Sequence, residues 1–266
     1  MTSLFRTALG TALHHSLTGL ILATTLLQMP VYAAQWSGYV SGQYRGFFED
    51  PADPRQHNSY LSAAAEPEFY HSWQGGDQSF NTILFYRVDQ YDENRTHGDI
   101  RELSWTGVFD TFEMTAGISK VFWGVAETQH LVDIINQTDL VENVDGEDKL
   151  GQPMIKLSTA RDWGNVDFFV LPWFRERTFP GVEGRPRPEV VVDTDADAIY
   201  DFSAGQDHVD LALRYSHYIG EWEFGLSYFS GIDRLPSNFV PNNQSTAAIP
   251  VYSLINQAGI DGQVFF

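Results

Sequence analysis

Hydrophobic side chains recur at every second residue along most of this chain, and that period constrains the fold more than any other feature. A period of two is the signature of a strand with one apolar and one polar face. Residues 35–48 set Trp36, Val40, Tyr44 and Phe48 against Ser37, Ser41, Gln43 and Arg45. The same alternation recurs over 60–73, 79–90, 100–109, 111–122, 153–161, 208–218 and 221–230. Residues 166–175 are apolar on both faces, with Asp167 and Arg175 as polar exceptions, and a tenth strand is expected from Leu254 to Phe266.

The connections choose among all-β architectures. Four are tight turns, at 74–77, 109–111, 162–165 and 219–221. They alternate with long polar excursions at 49–59, 91–99, 119–151, 176–207 and 231–253. Short turns at one end and long loops at the other are the habit of antiparallel membrane barrels, whereas a sandwich has Greek-key crossings and no such segregation. Trp36, Trp73, Trp163 and Trp222 all fall at the short-turn ends, where an interfacial belt would lie. The expectation is an all-β, antiparallel, up-and-down transmembrane β-barrel with about ten strands present. It is either a small closed ring or an incomplete N-terminal portion of a larger barrel, because a ten-stranded lumen could not hold a loop as long as 119–151 and leave water.

Composition bears on address and partners. Arg6 followed by the apolar run 17–27 and the small-x-small site Val31-Tyr32-Ala33 predicts a secretory signal peptide over 1–33, leaving 34–266 as barrel. The apolar run is too short to span a bilayer as a helix. The chain has no cysteine, so disulfides and thiolate chemistry are excluded. With 16 Lys+Arg against 35 Asp+Glu, it lacks the basic surface that nucleic acid requires. An aromatic content of 14% suits a protein with interfacial girdles.

On this alternation the inward face carries Arg45, Glu66, Glu68, Arg87, Asp89, Glu102, Glu113, Lys156, Asp167, Arg175, Asp210, Arg214 and Glu223. Ionised groups there fit either a water-filled passage or an ion-pair network filling a closed barrel. The excursion 119–151 adds Glu127, His130, Asp133, Asn136, Asp139 and Glu142. Folded inward, these groups would narrow a pore and favour cations or polyhydroxylated solutes; left outside, they are surface charge. The spacing over 130–136 allows a short helix packing on Leu131, Ile134 and Ile135.

The run Val121-Phe122-Trp123-Gly124, then Leu131-Val132-Asp133-Ile134-Ile135-Asn136, then Thr138-Asp139-Leu140 resembles a poorly characterised family of proteobacterial outer-membrane barrels. These porin-like proteins carry a W-G-x-x-[DE] then D-x-[IV]-N-x-x-D-L pattern. Residues 100–105 and 255–261 are also similar to that family's strands, and the likeness covers most of the segment after the leader. The family's proline after the loop asparagine is Gln137 here. The resemblance implies a Gram-negative outer-membrane location, further strands beyond Phe266, and no particular solute or oligomeric state.

Other classes find less support. No G-x-S-x-G elbow or H-E-x-x-H pair is present, and a barrel hydrolase would have to recruit His71 or His217 without a serine motif. The acidic run 193–197 opens like a calcium loop, but Ala198 and Ala204 stand where its glycine and glutamate belong. The sequence therefore predicts no enzyme, cofactor or metal. It predicts a porin-like channel for transport of small hydrophilic solutes, embedded in the outer-membrane bilayer, with 119–151 as constriction. A non-conducting structural or adhesive barrel is the competing class.

Overall fold

The computed structural model describes residues 34–123, 132–143 and 145–264. The leader and two of the loop residues singled out above, Glu127 and His130, lie outside the described residues. Ten long strands form one antiparallel sheet. They are β1 (Ala34–Gly46), β2 (Ser59–Trp73), β3 (Gln78–Asp89), β4 (His97–Val108), β5 (Glu113–Ser119), β6 (Gln152–Arg161) and β7 (Gly164–Leu171). A two-residue strand β8 (Ile199–Tyr200) precedes β9 (Asp210–Ile219) and β10 (Trp222–Ile232). Then come β11 (Asn238–Pro241), β12 (Ala248–Tyr252) and β13 (Leu254–Val264). Neighbours run in chain order from β1 to β7, then β9, β10 and β13. The ten strands and the alternation of tight and long connections match the sequence expectation.

The polarity of the sheet is the reverse of a soluble protein's. Register places Trp36 opposite Phe69, Leu103 opposite Ile118, Leu157 opposite Phe168 and Leu226 opposite Ile260, all on one face. That face is open to the surroundings: Trp36 is 73% exposed, Val40 63% and Ile260 77%. The other face holds Arg87, Asp89, Arg101, Asp210 and Arg214, each below 10% exposure. Charges go inside and hydrocarbon goes out.

The sheet curls around its charged face. Ile135 O accepts from Arg234, just past β10, while Glu142 O accepts from Arg45 on β1. In a flat sheet those strands would stand about 38 Å apart at the usual spacing, and the chain from 135 to 142 reaches at most about 24 Å. The arginine side chains add about 10 Å at each end, but the segment bends at 135–136 and turns at 140–142, so a curved wall and not a stretched chain brings both within range.

Curling stops short of the closed ring that alternation predicts. β1 and β13 are the sheet's two edges, and no pairing joins them among the described residues. The open seam accords with the volume inside. Eight strands enclose just enough room for side chains, and ten only a little more. Here the interior also holds the described parts of the 119–151 excursion, with Trp123, Ile135, Val141 and Leu150 buried. Trp123 packs at 5.4 Å on Phe169 of β7, in a cluster with Met154, Leu171, Ala212 and Phe229. The short helix allowed over 130–136 does not form in its described part; residues 132–136 are turn and bend.

The outer excursions build a roof that no alternation foretells. β8, β11 and β12 make a second small sheet, on which Phe174, Ile232 and Tyr252 pack. The connection 172–198 crosses to the β1–β2 loop: Arg185 lies 4.3 Å over Phe47, Arg187 pairs with Asp53 at 2.6 Å, and Tyr60 donates to Glu183 O. Its Gly181 N–H donates to Asp92, whose carboxyl burial pushes up.

One glycine is fixed by its close approach to the backbone of β4. A Cβ on Gly151 would stand 2.5 Å from the carbonyl oxygens of Ile100 and Arg101. Gly151→Ala is therefore expected to cost about 1–3 kcal/mol by forcing the backbone apart. Urea unfolding of the detergent-solubilised variant measures it.

Candidate functional site

The strongest concentration of buried charge lies where the inner excursion meets β1, β3 and β4. Arg87 and Glu142 form a two-pronged pair, with Nη2 2.8 Å from Oε2 and Nε donating to both carboxylate oxygens. Arg45 of β1 donates to the backbone oxygen of the same Glu142 at 2.6 Å. Arg95, from the β3–β4 connection, pairs with Asp89 at 2.8 Å and donates to Gln43, Ser62 and Val141 O. Ser62 Oγ accepts from both Arg87 and Arg95. Three guanidinium groups thus join one loop to three strands, β1, β2 and β3, each charge matched by hydrogen bonds. That matching is what makes burial of such groups tolerable.

Asp139 anchors the next turn of the excursion. Its Oδ1 accepts from Thr178 at 2.8 Å, and its Oδ2 stands 3.5 Å from His97 Nε2, ion-pair range rather than a close hydrogen bond. Burial acts to raise the Asp139 carboxyl, but His97 and Thr178 outweigh it and hold the group below the usual carboxylate range. A depressed carboxyl contributes stability above its unfolded value, near 3.9, that is lost as pH falls through the lower folded value. We expect acid to loosen the excursion only below the normal aspartate range, with Asp139→Asn flattening that part of the pH–stability curve. Intrinsic fluorescence across an acid titration reads it.

Asn136 ties the neck. Its Nδ2 donates to Ser119 O and Leu150 O, and its Oδ1 accepts from Val121 N–H at 2.8 Å, so one amide joins the entry and exit of the excursion. Asp133 accepts from the Trp123 N–H. The motif residues Asp133, Asn136 and Asp139 therefore fold the loop, and Glu142 fastens it to the wall.

The remaining sequence-selected groups lie elsewhere on the inner face. Arg214 makes a bidentate pair with Asp261 at 2.8 Å and sits 5.7 Å over Trp123. Glu102 accepts from Asn81, and Glu113 lies opposite Ser158. Neither belongs to the arginine cluster.

Arg101 and Arg95 escape the sequence reading. By strict alternation Arg101 would share the outward face with Leu103. Between Ile83 and Leu84 the β3–β4 register shifts by one residue, so Glu102 faces Ile83 and Ile100 faces Leu84. Arg101 is the extra residue of that bulge, and it turns inward to pair with Glu66 at 2.7 Å and cover Phe85 at 3.8 Å. Arg95 lies in a connection, where alternation says nothing.

Among the described residues no grouping of His, Asp and Glu could hold a metal, and no helix is long and apolar enough to cross a membrane. Compared with protein-family models, curated proteins and solved structures, the chain gives no match.

Proposed function

We propose that this chain forms the wall and inner loop of an outer-membrane β-barrel that passes small hydrophilic solutes passively, down their gradient. The observation that carries the reading is the inverted polarity of the curled sheet: an exposed apolar face and a buried charged one. An apolar surface of that extent suits hydrocarbon, and a charged interior suits water and solute. A bilayer also requires partners for the backbone groups along β1 and β13, so the working pore has its seam closed.

The constriction in this reading is the excursion 119–151, held against β1 and β3 by Glu142. Of its arginine neighbours, Arg87 and Arg95 are matched with carboxylates and Arg45 only with the Glu142 backbone oxygen and the Asn143 amide oxygen, while the chain as a whole carries 35 acidic residues against 16 basic ones. Cations and neutral polyhydroxylated solutes are favoured over anions. The resemblance to porin-like proteobacterial barrels points the same way.

A second reading rests on the filled interior. The excursion buries Ile135, Gln137 and Asp139 to 1% exposure or less, which suits a barrel that does not conduct and whose roof contacts partners outside. Planar-bilayer recording separates the two. A channel gives stepwise currents whose reversal potential in a salt gradient favours cations. Inserted, folded protein without current supports the structural barrel.

A further inference from the structure

The wall has a breach at its outer half. β5 ends at Ser119 and its chain turns inward, so β4 is paired with β5 only from Leu103 to Val108. Among the described residues the outer part of β4, from His97 to Glu102, pairs with no strand on that side and meets Gly151 at the Ile100 and Arg101 carbonyls, and β6 joins the sheet only from Gln152. The neighbouring β2–β3 ladder is also interrupted: pairing passes from Ala65–Tyr86 to Glu68–Ile83, skipping Pro67, which has no N–H to give. With the bulge at Arg101, three irregularities converge on one patch.

A groove of about 680 Å³ opens there, within the usual size range of small-molecule sites. Leu84, Tyr86, Ile100, Ile118, Pro153 and Trp173 supply its apolar walls. Asp99 of β4 and Arg175 of the connection after β7 also line it. Arg175 bridges the gap, pairing with Asp99 Oδ1 at 2.7 Å and donating to Gly151 O at 2.8 Å. Asp99 has a side chain only 3% exposed, yet its Oδ2 has no hydrogen-bond partner among the described residues. A buried carboxylate oxygen left without a donor is costly, so a ligand that supplies one gains there.

We propose that this breach is a lateral binding site for a neutral amphipath: a hydrocarbon body in the groove and a hydroxyl head donating to Asp99 Oδ2. The head is neutral because Asp99 and Arg175 already balance, and a charged head would bring an uncompensated charge into a mostly apolar site. The proposal rests on the membrane reading for the surroundings of the groove. It requires no conduction, so an absence of current would leave it standing.

The test uses the full chain in lipid nanodiscs and tryptophan quenching by 8-bromo-octan-1-ol, with 8-bromo-octanoate and 8-bromo-octylamine as head-group controls. The alcohol should quench saturably, and Trp173→Phe should remove the saturable component. Half-saturation should lie at least about tenfold higher for the two charged probes, consistent with the cost of an unpaired charge. Ala65→Phe, which fills the groove from an outward position on β2, should raise it by about tenfold or more, by occlusion of the apolar pocket. Equal quenching by all three heads overturns the proposal. So does a saturable component that survives Trp173→Phe, or affinity unchanged by Ala65→Phe in a variant whose thermal unfolding matches the parent.

Discussion

Replacing Asp210 by alanine should destabilise the protein by about 3–5 kcal/mol, the usual cost of removing one partner of a buried ion pair. Asp210 is 1% exposed and serves three donors: Arg234 Nη1 at 2.9 Å, the Ile232 N–H at 3.0 Å and the His208 ring at 2.8 Å. Arg234 is buried as well, and burial presses its guanidinium toward the neutral form while Asp210 opposes that shift. Without the carboxylate, Arg234 keeps its charge and loses its counter-charge. The damage should also spread, because Arg234 Nε donates to Ile135 O at 3.0 Å and so links the roof to the inner excursion. Asp210→Asn keeps the shape and an acceptor and should cost less. Equilibrium unfolding in detergent micelles, monitored by tryptophan fluorescence, gives both numbers.

Glu142→Ala should have a comparable effect on stability, about 3–5 kcal/mol, and a larger one on behaviour. It leaves Arg87 facing no carboxylate from the excursion, and near that point the excursion keeps the backbone bond from Arg45, the Arg95 bond to Val141 O and the Asp139–His97 pair. Protease cleavage within 132–151 should accelerate, and single-channel conductance should rise as the constriction loosens. A paired replacement, Arg87→Met with Glu142→Met, removes both charges together. It should recover most of the stability, since well-packed apolar pairs commonly match buried ion pairs. The recovered stability separates a fastening role from a general packing role. Loss of fastening alone should open the pore in the double variant too.

The strands were the legible part of the sequence, for a clear physical reason. A wall with hydrocarbon on one side and ionised groups on the other repeats every two residues wherever it is regular, and Trp36, Leu103, Leu157 and Leu226 all obey that rule. β13 obeys it less well in sequence, yet it pairs along its full length, from Leu254 opposite Ile232 to Val264 opposite Trp222. Backbone pairing tolerates weak side-chain alternation once the neighbouring strand is in place.

Legibility failed where regularity does. Arg101 was invisible because a single inserted residue reverses the face of everything beyond it. The open seam, by contrast, was partly legible, since a loop as long as 119–151 cannot fold inside a ten-stranded ring and leave water. The loop motif was visible as a resemblance, and the structure supplies its physics. Asn136 is conformationally demanding because its amide satisfies three backbone groups, at Ser119, Val121 and Leu150. The roof sheet of β8, β11 and β12 left no trace, because its strands are two to five residues long.

The chain contains no cysteine, so single-cysteine scanning reads the two faces of the wall without background. The decisive measurement places one cysteine at a time on the apolar face, at Leu103, Ile155 and Leu213, and on the charged face, at Glu113, Lys156 and Asp167. Each variant is reconstituted in liposomes and challenged with a water-soluble thiol reagent and, as a fluorescent adduct, with a lipid-chain quencher. The account predicts slow aqueous labelling with strong lipid quenching at the first three sites, and fast labelling with weak quenching at the second three. Equal aqueous labelling of both sets would contradict a membrane wall with a wet interior.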